Sequence, residues 1–152
     1  MKPVRIFALI TGVFLTALGL AGFIPSLMSA PDTFPASIAL YGVAGDQVGN
    51  LFGIFPANGA ENILYIVWGI AGLATAIALD SARFYAGLTA VFLGLLTILG
   101  LLPYSNTVFG LFPIYGGDVW LHAAVAAVAA YFGFIARPNL REALDRETGE
   151  GV

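Results

Sequence analysis

The chain has 152 residues, 59% of them hydrophobic and only 10% charged, with a net charge of −3, one histidine and no cysteine. A soluble domain carries roughly 25% charged residues and at this length cannot bury so large an apolar fraction, so the composition points to an integral membrane protein whose first partner is the lipid bilayer. The missing cysteines exclude disulfides, thiol catalysis, iron–sulfur clusters and zinc–thiolate sites, and the mild negative charge argues against a nucleic-acid partner.

Four stretches carry no charged residue: 6–24, 62–79, 84–102 and 120–136, which are 19, 18, 19 and 17 residues long. A spanning helix needs roughly 17–25 residues. The expected fold is therefore an all-α membrane protein with four transmembrane helices in residues 1–136, with spans at about those four positions, and a cytoplasmic tail at 137–152. The start of the chain, with Lys2 and Arg5 before an apolar run, has the outline of a secretory signal. The run of 19 residues exceeds the usual apolar region of roughly 7–15, so an uncleaved first helix is expected.

All six basic residues fall in three places: Lys2 and Arg5 before the first span, Arg83 between the second and third, and Arg137, Arg141 and Arg146 after the fourth. The loops at 25–61 and 103–119 contain no Lys or Arg. In a four-span chain the three basic places share one side, and the positive-inside bias puts both termini in the cytoplasm. The first outer loop carries "FPASIALYGVAGDQVGN", which is apolar but too short and too broken by glycine to span. It is expected to lie on the outer face, covering helix ends.

Residues 52–64, "FGIFPANGAENIL", and 109–121, "FGLFPIYGGDVWL", are identical at six of thirteen positions when shifted by 57. Composition alone gives roughly one identity in such a window, so the segment is an internal repeat. The matched pairs include Phe52/Phe109, Gly53/Gly110, Phe55/Phe112, Pro56/Pro113 and Gly59/Gly116, with Glu61 and Asp118 as equivalent acids. Each copy lies on the outer side just before an inward-running helix. The expected architecture is a duplicated helical hairpin whose halves are related by a pseudo-twofold along the membrane normal. The prolines and glycines suit turns, and the phenylalanines with Trp120 suit the membrane–water interface. Asn58 and Glu61 have the spacing of a capping box, and Asp118 sits where a carboxylate favours a helix dipole. Both acids are therefore expected mainly as caps, with a shared cation site as the other reading.

Small residues are expected to line helix contacts: Ala8, Gly12 and Gly19 on the first helix, Gly69, Gly72 and Ala76 on the second, and Gly87 with Gly94 on the third. The tail, "RPNLREALDRETGEGV", reads as a short amphipathic helix with Asn139 and Glu142 in a second capping pattern.

The segments "NLFGIFPANGAENILYI" and "DVWLH" resemble those of an uncharacterised bacterial family of four-helix membrane proteins, catalogued only as a domain of unknown function. Its members carry "FGLFP.N…HNLVHL" entering the second helix and "WLH" entering the fourth. The resemblance spans nearly the whole chain and implies the fold and a bacterial membrane, with no activity to carry over. Glu61 and Tyr65 stand where the family has two histidines, so a histidine-dependent metal or haem role does not transfer to those positions.

His122 is the sole histidine, and its repeat partner is Tyr65. One reading is a hydrogen bond to Tyr65 or a loop carbonyl that satisfies both groups. The others are an axial ligand to haem or a chlorophyll-type pigment, or a member of a proton relay. The repeat places both side chains one turn inside the outer surface, where they are expected in contact or on a shared partner. With one histidine, no cysteine and no charge inside the spans, no catalytic set is visible and no enzyme or cofactor is expected. Three roles follow: a non-catalytic structural or accessory subunit packing against other membrane helices or its own copies, a pigment- or haem-binding subunit of a photosynthetic or respiratory complex, and a small transporter or channel. The absence of a catalytic set favours the first. Reporter fusions after Arg83 and after Val152 are expected to be cytoplasmic and one at Gly45 to be outside; a cytoplasmic Gly45 reporter overturns the orientation.

Overall fold

The computed structural model describes residues 2–30 and 48–136. The apolar stretch at 34–47 and the amphipathic tail at 137–152, with its Asn139–Glu142 cap, lie outside the described residues. The described chain is mostly helical: α1 is Pro3–Ala21, α2 is Gly59–Thr75, α3 is Leu79–Leu101, and α4 is Gly117–Ala130, continued by a π-helical turn at Tyr131–Ile135. Three segments are long and apolar enough to cross a membrane: Pro3–Ala21, Leu79–Leu101 and Gly117–Ile135. At 17 residues, α2 is the shorter exception, about 26 Å at 1.5 Å per residue against a hydrocarbon core of roughly 30 Å.

Every helix begins before the charge-free stretch that announced it. Arg5 lies inside α1, Glu61 inside α2, Asp80 and Arg83 inside α3, and Asp118 inside α4. A charge ends an apolar run in the sequence, but it does not end a helix, whose first-turn amides and positive dipole end accept acidic side chains. At its other end α2 stops at Thr75, short of the expected residue 79. Ser81 closes this turn by donating its hydroxyl to Thr75 O at 2.8 Å and Ala78 O at 3.1 Å.

The polarity of the molecule is inverted relative to a water-soluble protein. Ile10, Ile70, Phe84, Val91, Leu95 and Ile98 are exposed on the helices, whereas Asn58, Glu61, Asn62, Thr89, Asp118 and His122 are buried. Large contiguous apolar surface outside and polar groups paired inside is what a lipid solvent requires.

Each helix packs most extensively on its sequence neighbour within a pair, α1 on α2 and α3 on α4. The small-residue faces make the first contact. A Cβ on Gly12 would lie 2.7 Å from Leu73 N and 2.8 Å from Gly69 O, and one on Gly69 would lie 2.7 Å from Gly12 O. On the second pair a Cβ on Gly133 would stand 2.6 Å from Gly87 N. Gly94 departs from expectation: nothing lies within 4 Å of its Cβ position, so it lines no helix contact. One end of each pair, the end at the start of α1 and α3, is closed in the same way. Arg5 Nε donates to Ala76 O at 2.7 Å, and Arg83 Nε donates to Gly133 O at 3.3 Å; the two acceptors are 57 positions apart, the spacing of the sequence repeat. Between the pairs, Trp68 of α2 donates its indole N–H to Thr89 Oγ1 of α3 at 3.0 Å and stacks on Phe92 at 4.4 Å.

At the other end lies a small antiparallel sheet that an all-α expectation omits. Strands β1 (Met28–Ser29), β2 (Gly49–Leu51) and β3 (Phe55–Ala57) pair in the order β1-β2-β3, with Leu51 opposite Phe55 across the "FGI" turn. Strands of two or three residues are too short to leave a period-two pattern. The second "FG" segment has a similar turn, although Val108 before it is also at positive φ, 45°, where Leu51 of the first is in a strand. Phe52 and Gly53 have φ of 54° and 73°, and Phe109 and Gly110 have 58° and 84°. Gly53 N–H donates to Asn50 O and Ile54 N–H to Leu51 O, and the equivalents Gly110→Thr107 and Leu111→Val108 repeat both bonds at 3.0–3.2 Å. A phenylalanine at positive φ is costly, so two such residues in register mark a turn held by its surroundings.

Gly69→Leu is expected to lower stability by roughly 1–3 kcal/mol through overpacking at the α1–α2 contact, whereas Gly94→Ala leaves it unchanged or slightly raised. Thermal unfolding of both variants in the same detergent checks the pair; equal losses would mean that α1 and α2 do not approach as described.

Candidate functional site

The site lies between the first turns of α2 and α4, and its geometry starts with their caps. Asn58, in extended backbone, caps α2 by accepting from Glu61 N–H at 3.0 Å. Its amide Nδ2 donates to Leu111 O of the second turn at 2.9 Å. The residue before α4 is Gly116 at φ 58°, a conformation that favours glycine, and it offers no side-chain cap. The expected division of labour is thereby corrected. Asn58 caps alone, while the carboxylates of Glu61 and Asp118 turn inward to the tyrosine between the helices.

Glu61 and Tyr65 are one turn apart on α2, as are Asp118 and His122 on α4, so each pair shares a helix face. All four are buried, at 0%, 4%, 0% and 1% exposure respectively. The tyrosine hydroxyl is the hub. It lies 2.8 Å from His122 Nε2, donates to Asp118 Oδ1 at 2.8 Å and reaches Glu61 Oε1 at 3.4 Å. The contact between Tyr65 and His122 expected from the repeat is present. On the far side of the imidazole, Nδ1 lies 3.4 Å from Asp118 Oδ2. Glu61 Oε2, Asp118 Oδ2 and His122 Nδ1 are enclosed without a hydrogen-bond partner.

Proton counting shows what this set lacks. The phenol has one hydrogen, and it satisfies the shorter of its two carboxylate contacts, Asp118 Oδ1. The imidazole then gives its Nε2–H to the tyrosine oxygen, which leaves Nδ1 as a lone pair facing a carboxylate lone pair. Two acceptors in contact inside apolar surroundings repel unless a proton or a cation stands between them. Among the described residues the cations Lys2, Arg5 and Arg83 belong to the opposite end of the helices. Glu61, Asp118 and His122 each offer one ligand atom, and these atoms lie within 4.8 Å of one another.

The remaining residues singled out in the sequence divide by burial. Pro56, Pro113 and Phe112 are buried and Phe55 is partly so, while Phe52, Phe109 and Trp120 are exposed, as interfacial aromatics are. Gly53, Gly110 and Gly116 supply positive φ, and Gly59 opens α2. Sequence reasoning missed Tyr115, the repeat partner of Asn58. Its hydroxyl is enclosed without a partner, and burial, with the nearby Glu61 carboxylate, pushes its phenol above the ordinary tyrosine value. The register of the repeat was the signal that could have found it. An axial haem or pigment ligand needs an accessible imidazole nitrogen, whereas His122 is 1% exposed and its unpartnered Nδ1 has Asp118 Oδ2 at 3.4 Å.

The chain belongs to the family described as a domain of unknown function, DUF4383, which it matches over residues 5–135. No curated protein and no solved structure matches it.

Tyr65→Phe removes the one hydroxyl that serves Asp118 and His122, and is expected to destabilise the protein by roughly 1–3 kcal/mol for each buried group left unpaired. Tyr104→Phe, at a position 78% exposed, is expected to change nothing measurable. Unfolding midpoints of the two variants in detergent decide the matter, and equal midpoints would mean that the tyrosine hydroxyl does not hold the two helices.

Proposed function

Starting from that family membership, we propose that the protein is a non-catalytic integral protein of a bacterial membrane, an accessory subunit that packs against helices of other membrane proteins or of its own copies. The observation that carries this reading is an apolar groove of about 430 Å³ on the lateral surface between α1 and α4. Ile6, Ile10 and Phe14 form one wall, and Ala124, Val128 and Phe132 form the other. A concave apolar face offers another helix a surface to pack against, and such van der Waals packing is a main source of helix association in lipid. The non-enzymatic reading is supported by the enclosure of the polar cluster, whose members are at most 4% exposed and so are closed to a substrate.

The same proposal takes α2 as a fourth spanning helix, with both termini in the cytoplasm. The partition of charge supports it: among the described residues Lys2, Arg5, Asp80 and Arg83 lie at one end and Glu61 and Asp118 at the other. Duplication of a helical hairpin is supported by the matched "FG" turns and by the two arginine bonds whose acceptors are 57 positions apart. A small transporter or channel is the second reading, favoured by the convergence of ionisable groups inside membrane-type helices. A pigment- or haem-binding role draws less support, because His122 is 1% exposed and Asp118 Oδ2 stands 3.4 Å from its one unpartnered nitrogen.

Photo-crosslinking residues placed at Ile10 and Val128 in native membranes test the accessory role. The expected product is a covalent adduct with a membrane protein, with a second copy of this chain recognised by its mass. Adducts with lipid alone overturn it.

A further inference from the structure

We propose that Glu61, Asp118 and His122 form a binding site for a divalent transition-metal cation, with Zn²⁺ the best match, and that Tyr65 is its positioning residue. The site is separate from the lateral groove, and the inference does not depend on the accessory role.

The first support is geometric. Asp118 and His122 lie at i and i+4, so one face of α4 presents both, and Glu61 comes to meet them from α2. The separation of His122 Nδ1 from Asp118 Oδ2 is 3.4 Å. Two ligands on one tetrahedral zinc with bonds of about 2.1 Å are themselves about 3.4 Å apart. One ligand atom from each of Glu61, Asp118 and His122 lies within 4.8 Å of the other two, so the three side chains converge on one place.

The second support is the identity of the unpartnered atoms. Each of the three residues contributes one: Glu61 Oε2, Asp118 Oδ2 and His122 Nδ1. All three are acceptors on side chains at most 1% exposed. A single cation can serve all three of these acceptors at once. Two buried carboxylates also need compensating charge, and the described arginines are committed elsewhere, to Ala76 O and Gly133 O.

The third support is the shell behind the ligands. A metal-bound histidine usually gives its other ring N–H to a fixed acceptor, which sets its tautomer and orientation. Here Nε2 faces the Tyr65 oxygen at 2.8 Å, and the same hydroxyl donates to the second oxygen of Asp118 at 2.8 Å. One tyrosine thus orients two ligands from behind and leaves their other atoms facing forward. The donor set of one imidazole and two carboxylates selects the class of ion. Mg²⁺ and Ca²⁺ are bound by six or more oxygens, while imidazole suits Zn²⁺ and its transition-metal neighbours.

The test uses the full-length protein, purified in mild detergent, stripped with a chelator and titrated with Zn²⁺ and Co²⁺. One ion per chain is expected, with a Co²⁺ visible spectrum that shows nitrogen and oxygen ligation. Glu61→Gln and His122→Gln are expected to weaken Zn²⁺ binding by well over tenfold. Tyr65→Phe keeps the stoichiometry and weakens binding about 10–100-fold, as loss of an outer-shell partner does. Because buried substitutions can prevent folding, the wild-type protein supplies an independent readout. Zn²⁺ at 100 times its Kd raises the folded-to-unfolded ratio about 100-fold, and Mg²⁺ at the same concentration leaves the unfolding temperature unchanged. The absence of stoichiometric binding by wild type, an equal response to Mg²⁺, or unaltered binding by a folded His122→Gln protein overturns the proposal. Identification of a crosslinked partner at the groove bears on the accessory role alone.

Discussion

The hydroxyl of Tyr65 is the atom through which α2 is joined to α4, beside the packing of α1 on α3 that makes the most extensive contact between the two helix pairs. The link is made through side chains, and that oxygen stands within 2.8 Å of both Asp118 and His122. The contact is polar and buried in a molecule whose outer surface is apolar, so its worth depends on complete pairing. In lipid, an unsatisfied group has no water to turn to. This is why the shortage of positive charge around Glu61 Oε2, Asp118 Oδ2 and His122 Nδ1 bears on the whole assembly and not only on a local site.

The helix pairs themselves are built by a different force. Without a hydrophobic drive between helices in lipid, close packing and backbone approach do the work. Gly12 against Gly69 and Gly87 against Gly133 remove the side chains that would hold the helices apart. Arg5 and Arg83 then use the carbonyls left over at the ends of α2 and α4. An arginine suits this position because its charge meets the negative end of the helix dipole while its stem lies along apolar surface. The result is two helix pairs, each closed at one end by an arginine, and joined to each other by the packing of α1 on α3, by Trp68 and, at the other end, by the tyrosine-centred cluster.

Acid and base therefore have opposite duties in the same helices. At one end Arg5 and Arg83 terminate helices by binding carbonyls. At the other end the acids sit at helix starts, where the dipole favours them, yet their side chains serve the Tyr65 hydroxyl and not the backbone of their own helix. The cap of α2 is left to Asn58, which also binds the second turn through Leu111 O. This exchange between the two "FG" turns and the two helix starts places four chemically distinct side chains within reach of one another.

Composition and the spacing of charge determined by themselves that the chain has membrane-type helices and roughly where they lie, because the match between apolar length and bilayer thickness is a one-dimensional property. The 57-residue repeat likewise foretold the common shape of the turns at Phe52–Gly53 and Phe109–Gly110, and it paired Tyr65 with His122. It did not foretell the strands, which are too short to carry a period, nor that the space a Cβ on Gly94 would occupy is open. Only the tertiary structure decided the direction of Glu61 and Asp118. A carboxylate in the first turn of a helix is compatible with capping its own backbone or with leaning toward a neighbour, and both satisfy the same local rule. The choice depends on whether a donor from another helix stands closer, and Tyr65 reaches Asp118 only when α2 and α4 have been brought side by side.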